Sequence, residues 1–347
     1  MAHPETWLKS LPQGLFCAPG GFFIDPTRAV DRAVITHGHA DHARPGHRAV
    51  LASAETLAIM RARMGKSAGV ERQALGWGET LTIGDVRVSL RPAGHVLGSA
   101  QVVMEYRGAR AVVSGDYKRA PDPTCAAFEP VPCDVFVTEA TFGLPVYTHP
   151  PASAEIARLL DSVALFPHRP HVVAAYSLGK CQRLIALLRQ AGWDRPIWLH
   201  PSLLPMCALY EAFDVALGDL RPVTRAGPSD LTGGIVLASP GSAAGPWLDN
   251  AVLVQASGWM RVRKRARAMG VELPLVISDH ADWNELNATI DDVGAPEVWV
   301  THGREDALIH AMARRGIRGR ALRLVGYGDE EGAETTETGL REQPVSG

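Results

Sequence analysis

Five short apolar runs in this chain end on a side chain able to bind a metal or carry a proton. AVIT leads into His37, AVVSG into Asp116, VFVT into Glu139, LVISD into His280 and VWVT into His302. Runs this short, rich in valine and isoleucine, read as strands, some of them buried on both faces. Further strands are expected at Val86–Arg91, Val102–Tyr106, His171–Ala175, Ile197–His200, Ile235–Ala238 and Ala251–Gln255. Helical patterns fall at Ala52–Met64, Pro151–Leu165, Lys180–Ala191, Trp259–Met269 and Asp306–Arg315. The mixture predicts a layered α/β fold and argues against a bundle or an all-β sandwich. In open α/β structures ligands bind outside the carboxyl ends of strands. Five reactive endings therefore predict one shared site.

The chain of 347 residues suits one large domain or two moderate ones. A formal net charge of -2 gives no sign of a polyanion partner, so nucleic acid would need a local basic patch. Cys17, Cys125, Cys133, Cys181 and Cys207 lack CxxC spacing, which predicts reduced thiols in a cytoplasmic protein. Neither an export signal nor an apolar run of membrane length is read from the sequence, so no membrane partner is expected. No Walker sequence or dinucleotide fingerprint appears, so ATP and NAD are not expected. Departure from a first domain is expected near Gly143, in EATFGLPVYTHPP, with a return within Gly258–Pro274. The expected division is 1–143, 144–258, 259–330 and an acidic surface tail, 331–347.

The densest chemistry is HGHADH, with His37, His39, Asp41 and His42. On a regular strand, His37, His39 and Asp41 would share a face and His42 would point away. The Gly38 and Ala40 spacers allow a tight loop that turns all four inward. One tetrahedral ion would consume all four groups. Two ions fit the crowding better, and they require ligands from elsewhere. Candidates are His95 in RPAGHVLGSAQ, Asp116 in SGDYKR and His302 in WVTHGRED. The expected division is His37, His39, His95 and Asp116 for one ion, and Asp41, His42, Asp116 and His302 for the other, with Asp116 bridging. Two ions about 3.5–4 Å apart would clamp an attacking hydroxide and a phosphoryl oxygen. Taken singly, each histidine is more often a surface or hydrogen-bonded residue; the cluster reverses that preference.

The HxHxDH signature, a glycine-flanked His95, Asp116 after a strand and a terminal strand ending on His302 resemble the metallo-β-lactamase fold. TEATFG, SDHAD and THG look like the three additional motifs of the β-CASP nucleases, which process DNA ends and RNA 3′ ends. LPQGLFCAPGGFFIDPTRAVDRAVITHGHADHARPG follows the opening pattern of bacterial ligase-associated DNA exonucleases. The resemblance implies an αββα sandwich with an inserted, compact β-CASP α/β cap. It implies two divalent ions, zinc ahead of manganese, and catalytic roles for Asp41, Glu139 and His280. Glu139 and His280 match the first and second additional motifs, His302 the third, and Asp25 a supporting acidic position before the metal motif. The cap is short for an RNA-processing member, and no RNA-binding module is evident.

In chemical terms, His280 can act as general acid, favoured and oriented by Glu139, with Asp279 and Asp282 as rival partners. Asp25 either hydrogen-bonds the HGHADH loop or stabilises its DPT turn. For substrate phosphates, MRVRKRARAMG offers Arg261, Arg263, Lys264, Arg265 and Arg267, with Arg261 and Arg265 on one helical stripe and Arg263 and Arg267 on another. Ser177 and Lys180 in AYSLGK offer a loop-to-helix phosphate grip, and SPGSAAG from Ser239 offers a further phosphate loop or a simple turn. Trp259 and Tyr176 are expected to serve packing before base stacking. The function expected is a dinuclear DNA exonuclease on single-stranded or frayed ends, 5′ to 3′, in repair, with a ligase and helicase as partners. An RNA nuclease of the same chemistry is the alternative. A small-molecule metallohydrolase and a catalytically silent end-binding scaffold are the readings from other classes.

Overall fold

A computed structural model describes residues 2–240 and 250–324. Most of the SPGSAAG segment and all of the acidic tail lie outside them. Strands β1 (Leu8–Leu11), β2 (Gly14–Cys17), β3 (Phe22–Ile24), β4 (Arg32–Val34), β5 (Ala49–Ala52) and β6 (Glu71–Ala74) form one sheet in chain order. Helix α1 (Ala54–Met64) sits between β5 and β6, capped by Ser53, whose hydroxyl accepts from Thr56 N–H at 3.1 Å. A second sheet begins with β7 (Thr80–Ile83), β8 (Val86–Pro92), β9 (Ala100–Tyr106), β10 (Ala109–Val113) and β11 (Val135–Ala140).

The chain then leaves through α2 (Ala152–Leu165) into a third sheet, all of whose pairings are parallel. This comprises β12 (His171–Ala174), α3 (Lys180–Gln190), β13 (Ile197–Leu199), α4 (Leu204–Glu211), β14 (Leu220–Pro222), α5 (Pro228–Leu231), β15 (Ile235–Ala238), β16 (Val252–Ala256), α6 (Arg263–Ala268) and β17 (Leu273–Leu275). The spatial order is β14-β13-β15-β12-β16-β17. Because β17 pairs with β16, this sheet reaches past the boundary expected at residue 258. After α7 (Trp283–Val293), β18 (Glu297–Gly303) returns to the second sheet beside β11. Helix α8 (Glu305–Ala313) and β19 (Arg318–Ala321) close it.

Side-chain alternation builds the layers. In VFVT, Val135 and Val137 join an apolar cluster with Leu15, Phe22, Ile24, Val34 and Leu51 of the first sheet. Phe136 points the other way, among Leu286, Ile290 and Val293 of α7 and Leu308 and Met312 of α8. On the first sheet's far side, Ala33, Ile35, Val50 and Ala52 pack on Met60 of α1. The result is an αββα sandwich, and its double burial is why VFVT and VWVT carry no polar alternation. The third sheet and its helices have their own apolar cluster, which also takes in Leu97 from the loop that carries His95.

One expected element differs. The helix read over Trp259–Met269 is interrupted at Val262, whose backbone is extended (φ -93°, ψ 99°), leaving a single 3-10 turn before α6. Arg261 and Arg265 therefore do not share a helical stripe. Helices α4, α5 and α7 and strands β1–β3, β5–β7, β14 and β19 were not expected. Truncating Leu97 to alanine should cost about 2–4 kcal/mol, measurable by urea unfolding of metal-free protein. A cost below about 1 kcal/mol would mean the site loop is not anchored in the third sheet's core.

Candidate metal centre

The site lies where the parallel strands β10, β11 and β18 end, facing the loop after β4. Their register aligns Val113 with Val137 and Val137 with Trp299, so Asp116, Glu139 and His302 emerge at one edge. Two backbone distortions aim the side chains there. Gly115 turns the chain toward Asp116 at φ +57°, and a Cβ on it would meet Thr36 at 2.7 Å. His302 itself takes a left-handed conformation at φ 59°, as does Asp25 at φ 42°, the kind of local strain concentrated at functional positions.

His37, His39, His95 and Asp116 each present a ligand atom within 4.8 Å of the others. His42, Asp116 and His302 form a second such group, and Asp116, Glu139 and His280 a third. Asp116 Oδ2 lies 3.5 Å from His37 Nε2, 3.3 Å from His42 Nε2 and 3.9 Å from His95 Nε2, while Oδ1 lies 4.0 Å from His302 Nδ1. Asp41 Oδ2 stands 3.7 Å from His42 Nε2, on the rim of the second group. Six of the seven expected ligands fall in these groups, and Asp41 stands beside the second.

The outward hydrogen bonds fix which ring nitrogen faces inward. A carbonyl can only accept, so His95 Nδ1–H donates to Asp279 O at 2.8 Å and His39 Nε2–H donates to Leu178 O at 3.3 Å. His42 Nδ1–H donates to Asp25 Oδ2 at 2.8 Å. The Thr36 hydroxyl donates to that same oxygen at 2.6 Å and so accepts from His37 Nδ1–H at 3.1 Å. Bare nitrogens are left facing one another: His39 Nδ1 is 3.0 Å from both His37 Nε2 and His95 Nε2. Lone pairs so opposed repel unless a cation lies between them. Ligands of a tetrahedral zinc stand about 3.3 Å apart, given zinc–nitrogen bonds near ~2.05 Å. The donor set therefore fits divalent ions, and two groups sharing Asp116 are positioned to coordinate them.

Electrostatics agree. Burial, reinforced by neighbouring imidazoles, holds His37 and His95 well below the usual histidine range, and burial beside His42 pushes His302 down to about 3. Burial also disfavours charge on His42 and Asp116. In each the opposite charge of the other outweighs it, raising His42 and lowering Asp116. For His37, His95, His302 and Asp116 these are the states that ligation requires, whereas His42 must release its proton when an ion binds.

At the edge of this centre His280 Nδ1 faces both Glu139 oxygens at 3.0 and 3.1 Å. Glu139 is fully buried and accepts Tyr117 N–H at 2.8 Å. The rival carboxylates are engaged elsewhere. Asp282 caps α7 and accepts from His149 N–H at 2.7 Å, and Asp279 pairs with Lys180 and Arg183. Asp25 holds Thr36 and His42, which fits the loop-holding role, not merely its own turn.

Lys180 requires correction. It is fully buried, with Nζ 3.2 Å from Asp279 and donating to Ile277 O at 2.7 Å, so no phosphate can reach it. Burial opposes ionisation of Asp279, but Lys180 and Arg183 outweigh it and hold that carboxyl far below the usual range. Ser177 is exposed beside it. Arg261, Arg263, Lys264, Arg265 and Arg267 are all exposed. Trp259 is buried against Phe142 and Tyr147, serving the core as expected. Sequence reading missed Thr36 and the Leu178 and Asp279 carbonyls; backbone groups leave no sequence signal, and Thr36 was visible only by its place before His37.

The fold is of the metallo-β-lactamase type, and its site gathers His and Asp side chains placed to hold divalent ions. Residues 11–168 match the family described as beta-lactamase superfamily domain. It is 28% identical over 330 residues to a "Probable DNA ligase" of Opitutus terrae, covering 91% of this chain and 31% of that protein. It is 30% identical over 159 residues to "Endoribonuclease YSH1" of Gibberella zeae, covering 42% of this chain and 19% of the relative. With "Cleavage and polyadenylation specificity factor subunit 3" of Dictyostelium discoideum it shares 32% over 128 residues, covering 36% of this chain and 16% of that one. The chain thus spans a third or less of these relatives. A solved structure, "Crystal Structure of a Protein of Unknown Function from Enterococcus faecalis V583", shares the fold at 13% identity, with a TM-score of 0.57 over 85% of this chain and 80% of that one. No helix among the described residues is long and apolar enough to cross a membrane.

Replacing Asp25 with alanine should weaken metal binding about 10–100-fold, because it frees both His37 and His42 to rotate. Competition with a chromophoric chelator measures this; unchanged affinity would deny Asp25 its orienting role.

Proposed function

We propose that the protein is a dinuclear metal-dependent phosphodiesterase that cuts nucleic-acid strands, acting at DNA ends as a 5′-to-3′ exonuclease in repair. The observation that carries the chemistry is Asp116, shared by two imidazole groups, with the Glu139–His280 pair at its edge. Two divalent ions held there would supply hydroxide near neutral pH and positive charge for phosphoryl oxygens. The imidazole-rich donor set suits zinc ahead of manganese. The protein's own residues do the rest. Glu139, fixed by Tyr117 N–H, holds His280 by Nδ1 and favours its charged form, leaving Nε2 to carry the proton for the leaving oxygen. Asp41, on the rim, is suited to orient the attacking group.

The exposed cations of α6 support a nucleic-acid substrate. Arg265 stacks over Trp259 at 4.3 Å, Trp259 packs on Phe142 at 4.8 Å, and the Phe142 ring is 6.2 Å from that of His280. This chain of contacts links α6 to the His280 edge and supports a path along which Arg263, Lys264 and Arg267 follow phosphates. The DNA reading draws on similarity along nearly the whole chain to a probable DNA ligase, which also suggests work beside a ligase. The second reading is an RNA-processing nuclease. Several relatives carry endoribonuclease in their names, and that relatedness leans toward RNA. A thioester or lactam substrate is less well served, since it needs neither His280 nor a basic rail.

Matched DNA and RNA oligonucleotides, each blocked at the 5′ or 3′ end, separate these readings. DNA should be cut and a 5′ block should stop it; cutting confined to RNA would establish the second reading. Replacing His280 with alanine should lower cleavage about 10²–10⁴-fold with both ions retained by elemental analysis. Metal loss would instead make His280 a ligand. Replacing Arg263 and Arg267 with glutamate should flatten the slope of log affinity against log salt by about 1–2, and an unchanged slope would remove α6 from the substrate path.

A further inference from the structure

We propose that Lys180 and Arg183 are positioning residues for one of the two metal groups, acting through the Ile277–Asp279 segment on His95. The inference rests on the dinuclear reading above and deepens it. Lys180 Nζ donates to Ile277 O and pairs with Asp279 Oδ2. Arg183 donates to Ser278 O and pairs with Asp279 Oδ1 at 3.1 Å. Three successive residues are thereby pinned, and the carbonyl of the third accepts from His95 Nδ1–H at 2.8 Å. The far end of the clamp is tied to the sandwich: Arg183 Nε lies 3.3 Å from Asp122, which pairs with Lys118.

The same helix holds the His95 loop directly. Gly179, at φ +86°, lies so close that a Cβ would meet Val96 Cγ1 at 2.4 Å. From the neighbouring α4, the Tyr210 hydroxyl accepts from Leu97 N–H at 3.2 Å. Just before α3, Leu178 O accepts from His39. Both imidazoles held from the third sheet belong to the His37–His39–His95–Asp116 group. In the other group, Asp25 holds His42 and β18 carries His302. Disturbing α3 should therefore weaken one ion and spare the other, whereas general destabilisation would weaken both.

The test is zinc binding, followed by chelator competition on the full chain, with thermal unfolding of metal-free protein as a fold check. Wild type should bind two ions. Lys180→Met should weaken one step about 10–100-fold and leave the other within about threefold; Lys180→Arg should restore part of the loss. Arg183→Lys, which keeps the charge but loses the fork that reaches both Ser278 O and Asp279, should weaken the same step by a smaller factor and decides the matter if Lys180→Met does not fold. Two ions in wild type with both steps unchanged, or both weakened in proportion, would overturn the inference. Failure of wild type to bind two ions would instead overturn the dinuclear reading.

Discussion

The centre depends on one buried carboxylate. Asp116 would be costly to bury alone, and the charge favoured on His42, 3.3 Å away, holds it ionised among imidazoles at 3.5–4.0 Å. Those imidazoles are in turn locked by outward donors, so they cannot rotate to relieve the crowding of their inner nitrogens. The arrangement is thus complementary to cations and to little else. Each surrounding part of the fold contributes one restraint: β3 carries Asp25 behind His37 and His42, β10 delivers Asp116, and β18 bends to present His302.

Parallel register explains why distant pieces of chain meet. Strands β10, β11 and β18 run the same way, so their carboxyl ends open on one edge, and each ends in a residue of different function. The inserted sheet is not a passive cover. Its Leu178 carbonyl accepts from His39, its Tyr210 hydroxyl accepts from the loop that carries His95, and the charged Lys180–Arg183–Asp279 cluster joins it to the sandwich. Buried ion clusters contribute little net stability against desolvation. Their value here is geometric, since each charge fixes a backbone segment that touches a ligand.

The ligand set was legible because imidazole and carboxylate are rarely crowded together without a purpose, and because VFVT and VWVT, buried on both faces, ran openly into their reactive residues. Other parts were hidden for physical reasons. Strand β1, LKSL, buries only Leu8, so it shows no apolar run. Helix α7 announced itself only by its Asp282–Glu285 capping box and Gly294 stop, while Asn284, Asn287, Asp291 and Asp292 diluted its apolar face. Lys180 looked like a phosphate grip because a Gly-Lys pair opening a helix has that chemistry; its burial is decided by Asp279, far along the chain. Val262 gave no hint that it would break the basic helix.

The most direct measurement is a crystal structure of the zinc-loaded protein, with the ions placed by anomalous scattering. Two peaks about 3.5–4 Å apart, one on either side of Asp116, are expected, with His95 on the first and His302 on the second. A single peak, or two peaks that do not share Asp116, would contradict the dinuclear centre on which the proposed chemistry stands.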